Sequence, residues 1–219
     1  MVKQSSALPF VADEEFLPIK DASLDLITSL LSLHTTNDLP GTLIQIRRAL
    51  KPDGLFLGCL FGAGTLKELR ASLMQAEVEL TSGAAQRVAP LPGLQDMAGL
   101  LQRAGLALPV ADVDHVTVRY DTPFDLMADL KGMGERAAFA DKGRPPLSRR
   151  ILSRMAEIYA ENYSDADGRL RASFEIVWLS GWAPAPGQPQ PLKPGSAKQS
   201  LASAVGSTEI SLNEKAGGD

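Results

Sequence analysis

The chain has 219 residues, a formal net charge of −4 and a pI near 5.3, with 44% apolar and 22% charged residues. That is the composition of an ordinary globular chain, and it excludes a nucleic-acid partner held by bulk electrostatics. No window holds the roughly twenty apolar residues of a membrane span, and MVKQSSALPF has the pattern of neither a secretory leader nor a mitochondrial presequence.

Residues 1–10 carry no pattern, and Val11-Ala12 read as the end of a strand. Asp13, Glu14 and Glu15 then make a short acidic turn closed by Leu17-Pro18. The run Leu24 to Leu33 (LDLITSLLSL) predicts a strand buried on both faces, as in a parallel sheet. Asn37-Asp38 is a helix cap, with Pro40 tolerated in the first turn. Leu39, Leu43, Ile46 and Leu50 follow as one apolar stripe, and Arg47, Arg48 and Lys51 suit the negative end of the helix dipole. Pro52 and Asp53-Gly54 stop this helix, and Leu55 to Phe61 predicts a second buried strand, completing a parallel βαβ unit.

Thr65-Leu66-Lys67-Glu68 has the form of a capping box, ahead of a stripe at Leu66, Leu69, Leu73, Ala76 and Leu80. Ser82 to Pro92 is loop. Leu94, Met97, Leu101 and Ala104 predict a helix ended by Gly105, and Pro109 demotes Leu106–Val110 to an edge or bend. Val116, Val118 and Tyr120 alternate with polar residues as a half-exposed strand. Thr122, Pro123 and Asp125 open a short helix ended by Gly132 and Gly134, and 135–147 reads as loop. Ile151, Met155, Ile158 and Tyr159 mark a further helix. Asp167-Gly168 turns into a last strand, Leu170 to Leu179, with Ala172, Phe174, Ile176 and Trp178 on one face. From Ala183 the composition becomes rich in Pro, Gly, Gln and Ser, which cannot build a packed core, with a turn or two of helix expected within Ser196–Val205. The order predicts an α/β domain whose last strands run antiparallel to the first.

The single cysteine, Cys59, rules out an intrachain disulfide and a cysteine zinc site, and in LFLGCLF it reads as a buried structural thiol. Two histidines, His34 and His115, are too few for a histidine metal centre, so no metal is expected. His34 reads first as a strand-end histidine that packs and hydrogen-bonds, and second as a proton carrier at neutral pH. Trp178 is expected in the core and Trp182 at a domain edge.

VADEEFLPIKDASLDLITSLLSLH is similar to the middle of the class I S-adenosylmethionine-dependent methyltransferases, and IRRALKPDGLFLG resembles their next helix and strand. The set ADEEFLP, SLLSLHTTNDLP, KPDGLF with FGAGTLKELR, DLKGMGE and NYSDADGRLRASFEIVWLSGW resembles the biotin-synthesis methyltransferase-like branch. Within that branch it resembles the complex I assembly-factor type and its alphaproteobacterial relatives, over residues 11 to 183.

This resemblance implies an incomplete Rossmann-like methyltransferase fold: strands 4 to 7 with crossover helices, and a helical insertion before the last strand. It implies a domain over 1–183 with a Pro/Gly/Ser-rich tail over 184–219, and S-adenosylmethionine as cofactor. Asp13 carries over as the adenine contact with Glu14 beside it, and Leu33 and His34 fall where the family lines its pocket. The implied partner is a respiratory complex I subunit carrying a target arginine. The implied location is the bacterial cytoplasm or the mitochondrial matrix. The family's glycine-rich loop belongs well upstream of Asp13, yet twelve residues precede it, and FGAGT at 61–65 follows the wrong strand. A truncated domain is therefore expected. Its 24–33 strand becomes an apolar edge for another chain to cover, and its activity alone is weak or absent. Two alternatives stand beside this reading: a non-catalytic interaction module, and a malonyl-carrier-protein methyltransferase of biotin synthesis.

Overall fold

The two apolar runs either side of the first helix pair in parallel. In a computed structural model, described over residues 9–81, 83–135, 146–189, 196 and 204–207, β1 (Leu24–Leu30) lies beside β2 (Leu50–Phe61), and α1 (Leu39–Ala49) makes the crossover. Asp38 caps α1 by accepting from the Gly41 amide, with Pro40 in the first turn. The chain continues through α2 (Lys67–Leu80), α3 (Leu94–Arg103), β3 (Ala107–Tyr120), α4 (Pro123–Gly132), α5 (Arg149–Tyr163) and β4 (Leu170–Trp182). The four strands form one open mixed sheet in the order β1-β2-β4-β3, with β4 antiparallel to both its neighbours. The chain divides into two units, Met1–Ala185 and Pro186–Asp219, and these strands and helices all belong to the first.

Two cores flank the sheet. On one side Leu43 and Ile46 of α1 and Met97 and Leu101 of α3 bury against Phe56, Leu60, Val177 and Leu179. On the other, Leu69 and Leu73 of α2, Leu126 of α4 and Met155, Ile158 and Tyr159 of α5 close over Leu170, Ala172 and Phe174. Strand β4 therefore buries even-numbered residues at its start and odd-numbered residues at its end.

Several expectations need correction. β1 stops at Leu30 and is an edge strand, so it is not buried on both faces. Paired residues share a face, and on one face Leu26 (53% exposed), Leu30 (71%), Leu57, Val110 and Trp178 meet no covering helix among the described residues. Trp178 is thus a surface residue whose indole donates to Asp114. β2 begins at Leu50 instead of Leu55, through Asp53 in the left-handed region (φ 63°). The expectation for Pro109 holds: it lies in β3, the other edge of the sheet, which absorbs it in a register shift between Ala107 and Val110. Val11-Ala12 is not a strand, the nearest pairing being the isolated bridge Asp13–Phe16. Most of the expected loop 135–147 and of the helical turns in Ser196–Val205 lie outside the described residues.

Thr65 and Glu68 do not cap α2. Leu66 sits at the N-cap in the left-handed conformation (φ 54°, ψ 32°) with no side-chain cap, a backbone state that costs a leucine roughly 1–2 kcal/mol. Thr65 Oγ1 instead bonds the backbone N–H and carbonyl of Glu175, and Glu68 accepts from the amide and hydroxyl of Ser173. Beyond Phe61 the edge of β4 has no β2 residue to pair with. The start of α2 takes the place of that missing strand.

Candidate functional site

The acidic turn is fastened to the start of α1. Phe16 N–H returns to the Asp13 carbonyl, and Glu15 N–H donates to Asp13 Oδ1 at 2.9 Å. Gln45 of α1 brackets the turn, donating to the Glu15 carbonyl (2.7 Å) and accepting from Leu17 N–H (3.0 Å). The Glu15 carboxylate accepts from both the backbone and side-chain nitrogens of Asn37. Glu15 is therefore committed to structure. Asp13 is exposed and Glu14 half-buried.

Asn37 leads into a cavity of about 700 Å³ beside the carboxyl ends of the parallel strands β1 and β2, the position at which open α/β sheets take their ligands. One wall is the turn His34–Asn37, and Phe61 ends β2 beside it. Thr65, Leu66, Leu69 and Leu73 bring in α2, and Phe124, Met127, Ala128, Leu130 and Lys131 bring in α4. A further wall is the segment carrying Arg87, Val88, Ala89 and Leu91. That wall is clamped from below. Buried Glu77 accepts from Arg87 Nε (2.8 Å), from Arg87 Nη2 (2.6 Å) and from Ala85 N–H (2.7 Å). The lining is mostly apolar with a few convergent polar groups, the usual make-up of a small-molecule or side-chain pocket.

The convergent polar pair is His34 with Glu135. After β1 the chain turns through Leu31 (φ 52°) into the short 3-10 turn Leu33–Thr35, which sets His34 edge-on to Phe61 at 5.0 Å between ring centroids. The His34 side chain is 4% exposed, and its Nε2 lies 3.0 Å from Glu135 Oε2. Its Nδ1 is buried without a hydrogen-bond partner among the described residues. Glu135 is placed by the end of α4. Gly134 adopts φ +84°, and Glu135 N–H reaches back to the Leu130 carbonyl at 2.9 Å, the long bond of a Schellman motif.

The residues singled out from sequence fall as follows. His34 lines the cavity, whereas the Leu33 side chain is 2% exposed and packs in the core under α1. Asp13 and Glu14 lie on the neighbouring turn, linked to the cavity through Glu15 and Asn37. Sequence reading did not single out Glu135, 101 residues from His34, although it closes the DLKGMGE motif that carries part of the resemblance. It also missed the tie from Glu15 to Asn37, for which the acidic run gave only a general signal. Cys59 is buried, as expected of a structural thiol.

Asp13 Oδ2 takes no bond from another described residue, which leaves it able to accept from an amino group such as that of an adenine. No contact with the methionine end follows from the described residues.

Residues 2–58 match the methyltransferase domain family. The mitochondrial arginine hydroxylase NDUFAF5 of Danio rerio is 43% identical over 192 residues, covering 88% of this chain and 60% of that protein. The human protein of the same name is 42% identical over 191 residues, covering 87% of this chain and 55% of its own length. The malonyl-[acyl-carrier protein] O-methyltransferase of Gallionella capsiferriformans is 32% identical over 179 residues, covering 82% of this chain and 59% of that one. Among solved structures, the YcgJ protein of Bacillus subtilis shares the fold at a TM-score of 0.50 and 16% identity, covering 80% of this chain and 70% of that one. The chain thus spans about three fifths or less of the curated relatives it matches. Across most of its own length it is similar both to these arginine hydroxylases and to the malonyl methyltransferase, and its first part matches the methyltransferase domain.

Proposed function

We propose that the chain forms the substrate-facing part of an S-adenosylmethionine-dependent, methyltransferase-like protein of the complex I assembly-factor type, acting on an arginine side chain of a partner subunit. One observation carries the reading: a chain 43% identical over 192 residues to an arginine hydroxylase closes a cavity at its strand ends, with His34 and Glu135 as the polar pair. Asp13 and Glu14 on the adjoining turn are assigned to the adenine amino group. When bound, the cofactor supplies an electrophilic methyl group on a sulfonium. The chain's own contribution is to orient the substrate and keep water away from it, with Phe61, Leu66 and Phe174 as apolar walls. The relatives named mitochondrial support a matrix location where the source is eukaryotic.

Calorimetric titration with S-adenosylmethionine tests the reading. One-to-one binding, weakened about tenfold by Asp13→Ala, is the expected result. If no heat of binding appears in a folded sample, the reading fails in favour of a non-catalytic interaction module. The uncovered apolar face with Leu26, Leu30, Leu57 and Trp178 supports that second reading.

A further inference from the structure

Helix α4 has a cavity on each flank. The strand-end cavity takes Phe124, Met127 and Lys131 from it. A second cavity, of about 480 Å³, lies over β3 and β4 and takes Asp129, Gly132 and Met133. Phe61, Ala128 and Phe174 line both, so a single layer of side chains separates the two chambers.

The second chamber is apolar. Val116 and Val118 of β3 and Ile176 of β4 line it from the sheet, and Val116 (42%), Val118 (36%) and Met133 (53%) are exposed there. The polar side chains on its lining, Tyr120 and Asp129, interact with each other, which leaves the rest of the chamber to an apolar group.

The C-terminal turn of α4 runs between the chambers. Lys131 and Glu135 line the first, and Gly132 and Met133 line the second. A Cβ on Gly132 or Gly134 would meet no described atom within 4 Å, so the turn presents bare backbone at both glycines. Width decides what can cross it. A helix is about 10–12 Å across with side chains, but only about 5 Å across at its Cα atoms. In an extended peptide, side chains two residues apart point the same way and lie about 7 Å from each other. Such a peptide can straddle the glycine turn but not an ordinary one. A free small molecule would need the chamber and not the crossing.

On the reading that the strand-end cavity takes the target side chain, we infer that the second cavity is a subsite for an apolar residue two places from the target in the partner chain. The partner lies extended across Gly132 and Gly134. Val118 and Met133 are specificity residues that take the flanking side chain out of water.

The test titrates three blocked heptapeptides into the full chain, with the Val118 and Met133 methyl signals followed by NMR. The first is Ala-Leu-Ala-Arg-Ala-Leu-Ala, so that a leucine reaches the subsite in either chain direction. The second has serine in place of both leucines, and the third has alanine in place of the arginine. The leucine peptide should bind about tenfold tighter than the serine peptide, with both methyl signals moving at saturation. Gly132→Leu should abolish that preference at unchanged circular dichroism, and the wild-type comparison decides even where the variant fails to fold. Equal affinity for the leucine and serine peptides, or methyl signals unmoved at saturation, overturns the inference. So does the absence of any peptide binding. Free N-acetyl-leucine amide saturating the same signals at the peptide's own concentration also overturns it, in favour of a small-molecule site. The third peptide separates the two readings. If it binds as tightly as the first, the function reading fails and the apolar subsite stands. If it binds more weakly while leucine and serine are not distinguished, the inference fails alone.

Discussion

Helices α2 and α4 begin with the same local pattern, a threonine followed three residues later by an acid, and the two pairs do opposite work. At α4, Thr122 and Asp125 cap the helix reciprocally, each side chain meeting the other's backbone N–H, in the open at the surface. At α2, Thr65 and Glu68 are buried (2% and 4% exposed) and turn outward from the helix to serve β4. A capping box is a local solution that holds only where nothing nearby has a stronger claim on the side chains. Beside β4 the claim is stronger: buried strand N–H groups left without a strand would lose more than a helix end open to water.

That contrast can be broken experimentally, most forcefully at Glu68. Glu68→Ala leaves the Ser173 amide and hydroxyl without their acceptor and should cost about 3 kcal/mol, read as a lower urea midpoint at an unchanged slope. Thr65→Val keeps the shape but removes both bonds to the Glu175 backbone, and should cost about 2 kcal/mol. Thr122→Ala removes an exposed cap and should cost about 1 kcal/mol. If the Thr122 substitution proves as damaging as the one at Glu68, the distinction between the two boxes collapses. The smallest effect is in alkali. Burial, and then the nearby Glu68 charge, hold the Tyr159 hydroxyl above its ordinary value of 10.0. Above about pH 10 the unfolded chain therefore loses a proton that the folded chain keeps, and stability falls as pH rises. Below that pH the two states hold the proton equally and the contribution is flat. In Tyr159→Phe this alkaline decline should vanish from melting curves taken across pH 9–11, apart from what other groups contribute.

Much of the fold was readable because it follows from local periodicity. The stripe Leu39, Leu43, Ile46 with Asp38 before it predicted α1, and Thr122-Pro123 predicted α4. The run from Leu170 predicted β4, whose pairing with two neighbours then fixes the sheet. What local pattern could not reveal was neighbourhood. Leu26 and Leu30 look like core residues in sequence, but they are exposed, and among the described residues no element covers their face. Asp112, Asp114 and His115 hid the true length of β3, since a polar edge strand lacks the apolar signal of a buried one. The site was legible only on one side. His34 drew attention as a strand-end histidine, but its partner Glu135 is positioned by a helix terminus a hundred and one residues away. No spacing rule spans that distance.

The edge of β1, unpaired on its outer side among the described residues, also has a practical consequence for anyone storing the protein. A free strand edge with leucines beside it recruits a second molecule at a rate that rises with the square of concentration, so shelf life should shorten faster than the stock is strengthened. Leu30→Lys places a charge on the most exposed of those leucines, where no packing is lost. Light scattering of stored samples at several concentrations should show the variant staying clear longest where the wild type clouds first, and identical clouding in the two would absolve the edge.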